Sequence, residues 1–166
     1  MIGHSKEELG GTGSVERIVA RKAYGGGFLD LDVYQNSYKA MLIVFRKILP
    51  VIPKEERFDL LDQLMRSSKA IPRLIAEGHS KKHQNKGFQK YIDDAHAESN
   101  ETIVSISQVR DLYALENIKE LCNDLLDLYD MISRQLYNLA ASWRNYHKNM
   151  RFHYLPTPND SPNASL

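Results

Sequence analysis

The sequence predicts an all-α fold, an antiparallel up-down-up-down four-helix bundle between flexible N- and C-terminal tails. Three observations carry the prediction. Phe88 to Tyr113 and Ile118 to Trp143 repeat apolar or small residues at alternating spacings of four and three, the period of a helical stripe facing other helices. Leu61, Leu64, Ser68, Ile71, Ile75 and Gly78 form a third, shorter stripe of the same kind. The connections between these stretches are short, which makes successive helices antiparallel neighbours with bundle-type crossings. No strand-like alternation or internal repeat stands out.

Residues 1–27 hold two glycine clusters, Gly10-Gly11-Thr12-Gly13-Ser14 and Gly25-Gly26-Gly27, around the short piece Val15 to Tyr24. Glycine costs backbone entropy and so short a piece does not hold a helix alone, so this segment reads as flexible tethers around one marginal helix. Neither cluster is a phosphate loop, because no Gly-Lys-Ser/Thr follows and no strand precedes.

Helix one is expected from about Asp30 to Leu49. Tyr34, Ser37, Met41, Val44 and Ile48 make one stripe, and Leu31, Tyr38, Leu42, Phe45 and Leu49 lie beside it. That face is wider than the roughly three positions in seven that a bundle helix buries, so it accommodates either a thick core or a second surface covered by another subunit. Pro50 and Pro53 punctuate a tight connection, and Lys54-Glu55-Glu56 is expected to open helix two.

In helix two, Pro72 interrupts the stripe. It has no N–H for the Ser68 carbonyl, and the hydroxyls of Ser67 and Ser68 are placed to serve the local backbone. Gly78 is expected to supply a left-handed C-cap. Arg73 and Glu77, four apart, suit an intrahelical ion pair. The alternative is a partly buried Glu77 that bonds Arg57 or Arg66 of its own or another subunit. Helices three and four then run through the two long stripes with a short turn near Leu115 and Glu116, and small residues at Ser68, Ala95, Ser99 and Thr102 should let helices two and three approach closely. The bundle is thus assigned to residues 28–151, and the polar, proline-rich residues 152–166 to a disordered tail.

At 166 residues and 42% hydrophobic, the chain suits one domain with a real core. With 22 basic and 21 acidic residues its net charge is +1, so no global field draws it to nucleic acid. The one cysteine, Cys122, excludes an intramolecular disulfide and fits a reducing compartment. The first 27 residues lack a continuous apolar segment, and no run approaches the roughly 18 residues of a membrane span. A soluble, cytoplasmic protein without membrane contact is expected.

Chemistry-bearing constellations are sparse. A di-metal carboxylate site in a bundle wants two Glu-x-x-His motifs and two more inward carboxylates. Asp93 and His96 supply one such spacing, and the helix-four stripe carries no acid or histidine. His79 and His83 are four apart, but Lys81 and Lys82 surround them with positive charge. Cys122 lies on the apolar stripe as a structural thiol. No catalytic residue, metal site, cofactor or small-molecule substrate is assigned, and the chain is not expected to be an enzyme.

Charge distribution says more. From Arg66 to Lys90 there are seven lysines and arginines against Glu77 alone, and from Tyr91 to Asp130 ten acids against two bases. With helices two and three antiparallel, the lysines of their connection gather at one end of the bundle. Phosphate backbones bind such a surface through counterion release. Arg66, Arg73, Lys81, Lys82, Lys86 and Lys90 are the candidate phosphate contacts, and Arg57 and Glu77 the candidates for structural or intersubunit pairing. A solvated loop and head-to-tail association between the two signs are the competing readings.

Glu56-Arg57, Leu60, Gln63-Leu64, Arg66-Ser67, Ile71-Pro72 and Ile75-Ala76-Glu77-Gly78, preceded by Phe28-Leu29-Asp30-Leu31-Asp32-Val33-Tyr34-Gln35, form a pattern that resembles the ribosomal-RNA intervening-sequence protein family of bacterial four-helix bundles. The likeness covers roughly Phe28 to Trp143. It departs at Leu74, where the family usually has Asn, and around Ala97 to Ser99. Members are similar in shape to the accessory proteins of diversity-generating retroelements, pentameric barrels that bind reverse transcriptase and RNA. The resemblance implies a non-enzymatic homo-oligomer, a pentamer by that analogy, that acts as an adaptor or scaffold for RNA or a nucleoprotein partner. A protein-binding module without nucleic-acid affinity is the alternative, anchored on Tyr38, Leu42 and Phe45.

Overall fold

A computed structural model describes residues 26–84 and 86–153, with side chains as far as residue 144. The flexible tethers and marginal helix expected in residues 1–25, and the disordered tail expected beyond residue 153, lie outside the described residues. Among the described residues there are four α-helices and no strand. Helix α1 spans Asp32–Ile43 and continues as a π-turn over Val44–Ile48. Helices α2, α3 and α4 span Leu60–Ser80, Gly87–Leu112 and Glu116–His153.

The core is built from one stripe of each helix. Leu64, Ile71 and Ile75 of α2, Ile92, Ile106 and Val109 of α3, and Cys122, Ile132 and Leu136 of α4 have no solvent exposure. Each of the larger side chains contributes roughly 1.5–3 kcal/mol relative to an exposed position. On α1 the innermost stripe is Val33, Ser37, Ala40, Val44 and Ile48, with Tyr34 and Met41 half-buried. It is rotated slightly from the expected stripe because Ala40, too small to stand out in the pattern, faces inward. Val44 and Ile48, four apart and so on one helical face, both reach the core, and the π-turn that spans them holds one extra residue locally.

Each helix packs mainly against two others, α1 on α2 and α4, and α3 on α2 and α4. Contacts across each of three seams run in opposite chain order. Phe28 and Phe45 meet His79 and Lys69 of α2; Ser67 and Gly78 meet Thr102 and Tyr91 of α3; Phe88, Ser99 and Arg110 meet Trp143, Ser133 and Asn123 of α4.

Helix α2 departs from expectation at both ends. Lys54–Phe58 forms a 3-10 turn, and the α-helix begins only at Leu60, after Asp59 leaves helical geometry at φ −131° and ψ −105°. At the other end Gly78 does not cap the helix. It lies inside α2, buried, where a Cβ would stand 3.0 Å from the Cβ of Tyr91; its lack of a side chain serves helix approach, not termination. Pro72 is buried within the helix, and Ser68 Oγ donates to the Leu64 carbonyl at 2.6 Å, one turn before the carbonyl that the proline leaves free.

At the pole opposite the α2–α3 connection, the Tyr113 hydroxyl donates to Glu56 at 2.5 Å and ties the two remaining interhelical connections together. Phe58, Leu112 and Leu115 are exposed at this pole.

Candidate nucleic-acid interface

The α2–α3 connection is a compact turn. Lys81 and Lys82 donate backbone N–H groups to Gly78 and His79, Gln84 to Lys81, and Gly87 to Gln84. Gly87 fits the tight turn: a Cβ there would meet the tip of the flexible Gln84 side chain at 2.9 Å and the Cβ atoms of Gln84 and Lys81 at 3.1 and 3.2 Å. The turn exposes Lys82 and Lys86, and Lys90 follows one turn into α3, also exposed. Lys81 is half-buried: its ammonium donates to the Tyr91 hydroxyl at 2.7 Å and lies 4.6 Å from that ring's centroid. Burial, and secondarily the charge of Lys82, hold the His79 imidazole below its ordinary pKa, with a hydrogen bond to the Gly26 backbone working the other way. The imidazole therefore adds little positive charge at neutral pH.

The six candidate cations do not form one patch. Lys81, Lys82, Lys86 and Lys90 share the turn, whereas Arg66 lies about 20 Å down α2 at the helical rise of 1.5 Å per residue. Arg73 and Arg66 line a groove of about 760 Å³ along the outer side of α2. Phe28, Tyr34 and Tyr38 form one wall and Glu98 and Glu101 of α3 the other, and Ala70 and Ala76 leave room between them. Tyr34 and Tyr38 stack with centroids 6.1 Å apart, and Tyr38 is 46% exposed. Burial first, and then Glu101, raise the carboxyl pKa of Glu98, while Arg66 and Arg73 pull it down.

Both arginines already have a partner on their own helix. Arg66 pairs with Asp62 at 3.3 Å and Arg73 with Glu77 at 3.8 Å. Glu77 thus takes the intrahelical pair, and its side chain is 47% exposed. Arg57 stands near the far end of α2, its guanidinium 5.5 Å from the exposed Phe58 ring, so it does not reach Glu77 of the same chain. Sequence reasoning missed the Lys81–Tyr91 contact, for which the ten-residue separation gave no signal, and the acid wall of the groove, which comes from a different helix.

Cys122 is buried, and burial pushes its thiol pKa up, so it stays protonated and a poor nucleophile. Among the described residues no cluster of three or more His, Cys, Asp or Glu side chains could hold a metal ion. No helix among them is long and apolar enough to cross a membrane.

An all-helical protein with a lysine-rich pole and a mixed-charge groove is the class these features define. Residues 29–138 match the 23S rRNA-intervening sequence protein family, and the chain belongs to that family. A search of curated proteins finds no match.

Proposed function

We propose that this protein is a non-enzymatic, oligomeric adaptor or scaffold of the cytoplasm, an up-down-up-down bundle that binds RNA or a nucleoprotein partner through the pole formed by the α2–α3 connection. The observation that supports this most is the projection of Lys82, Lys86 and Lys90 from one turn, with Lys81 beside them on Tyr91. In a homo-oligomer, a pentamer by analogy with the retroelement accessory proteins, such poles would add up to a crown of positive charge. Backbone phosphates bind lysine clusters with little sequence preference and strong salt dependence. The test is RNA binding by the full chain at several salt concentrations. Affinity should fall steeply with salt, and Lys82→Glu with Lys86→Glu should weaken it at least tenfold. Binding that ignores salt would overturn the reading.

A second reading, a protein-binding module without nucleic-acid affinity, is favoured by the exposure of Tyr38. It predicts that Tyr38→Ala abolishes partner capture while the lysine variants keep it.

A further inference from the structure

We propose that the outer groove of α2 receives the outer stripe of α4 from a second copy of this chain, the two helices lying parallel and level. The inference rests on the homo-oligomer reading above and supplies its interface.

Helices α2 and α4 each pack on α1 and α3, so they stand at diagonal corners of the bundle. Their outward surfaces therefore face opposite ways. Two complementary surfaces on opposite sides of one molecule cannot satisfy each other within it. They pair between copies, head to tail, and the rotation between copies decides between a closed ring and an open filament.

The two stripes are largely opposite in charge, apart from Arg134 on α4, Glu77 on α2 and the Glu98 and Glu101 wall that α3 lends the groove. Exposed residues of α4 recur along one stripe at spacings of three and four: Glu120, Asn123, Asp127, Asp130, Arg134 and Tyr137. Tyr137 is 60% exposed on a helix whose core side is already filled. On α2 the corresponding stripe is Arg66, Lys69, Arg73 and Glu77, with Ala70 and Ala76 as the small residues of the groove floor.

Height along the bundle follows from the seams. Ser67 is level with Thr102, and Ser99 with Ser133, which brings Asp130 to the height of Ser67. Gly78 is level with Tyr91, and Phe88 with Trp143, which brings Ala140 to the height of Gly78. Both α2 and α4 run opposite to α3, so they share a direction. Two copies side by side therefore set Asp127 and Asp130 against Arg66 and Lys69, Arg134 level with Glu98, and Tyr137 beside Arg73 between Ala70 and Ala76.

Each charge on these stripes is free to exchange partners. The Arg66–Asp62, Arg73–Glu77 and Asp130–Arg134 pairs are all intrahelical, with side-chain exposures of 41–71%, and such pairs hold their members weakly. The parallel arrangement also keeps every Lys81 to Lys90 pole on the same side of the assembly, and a flipped copy would not.

Light scattering on the full chain and two charge-reversed variants tests this. Arg66→Glu with Arg73→Glu makes the α2 stripe acidic, and Asp127→Lys with Asp130→Lys makes the α4 stripe basic. Each variant alone should be monomeric with unchanged helical circular dichroism. An equimolar mixture should regain mass above the monomer, because reversed α2 then meets reversed α4 and the two unaltered faces still match. A wild-type oligomer that survives both reversals would overturn this interface and leave the oligomer standing. Dissociation without rescue on mixing would show that the two stripes are not partners. A monomeric wild type would remove the oligomer reading itself.

Discussion

The hydroxyls of Ser67 and Thr102 hydrogen-bond at 2.9 Å across the α2–α3 seam, with 1% and 0% exposure. Thr102 Oγ1 is also 2.8 Å from the Glu98 carbonyl, so the threonine knits its own helix and its neighbour. A buried hydroxyl that loses its partner costs on the order of 1–3 kcal/mol. Thr102→Val should destabilise by that amount in urea titration, and Ser67→Ala by less, because Thr102 retains Glu98. The double variant should cost less than the two added together, the signature of a shared bond.

Gly78→Ala sets two effects against each other. Alanine favours a helix interior by about 1 kcal/mol, but its Cβ would stand 3.0 Å from the Cβ of Tyr91. That neighbour is anchored directly to the α3 backbone and cannot swing away. Overpacking of this kind costs about 1–3 kcal/mol, so a net loss on the order of 1 kcal/mol is the expected outcome of denaturant unfolding. A stabilised variant would mean that α3 yields by a few tenths of an ångström.

Tyr129 is fully buried, and its hydroxyl has no hydrogen-bond partner among the described residues. Burial pushes its pKa up beyond the ordinary phenol range. Tyr129→Phe removes a desolvated polar atom and keeps the ring, so unfolding free energy should hold or rise by up to about 1 kcal/mol. A loss larger than that would reveal a partner for the hydroxyl.

His79 should titrate below the ordinary imidazole value of about 6.5 when followed by NMR. A lowered folded pKa means that the native state binds fewer protons than the unfolded chain, so this group makes stability fall as pH drops from about 6.5 towards the folded value. Lys82→Ala should lift the midpoint without restoring it, because burial is the larger cause and the lysine charge the second. A midpoint unmoved by the lysine would place the two side chains farther apart than the turn holds them.

The α3 and α4 stripes were legible because heptad spacing over more than twenty residues admits one burial pattern: Phe88, Ile92, Ile106, Cys122, Leu125, Ile132 and Leu136 are all inside. Residues whose role depends on a neighbouring helix were misread. Gly78 carries the local signature of a cap, and only the approach of Tyr91 explains its place within α2. The cations of Arg66 to Lys90 look continuous in sequence, yet the rise of α2 carries Arg66 and Arg73 away from the lysine turn and into a groove with an acid wall. The α4 stripe ending in Tyr137 was hidden for a related reason. An exposed period of three and four is invisible beside the apolar one unless an opposite surface gives it meaning.

The π-turn of Val44–Ile48 gives α1 slack in length. Its wide turn holds one residue more than α-helical winding would, so deleting a residue there could restore α-geometry while Tyr34 and Tyr38 keep their place on the groove wall. Among relatives of differing length, a single-residue gap should fall at this point in an alignment before it falls in α2, where Gly78 and the Ser67–Thr102 bond fix the register against α3.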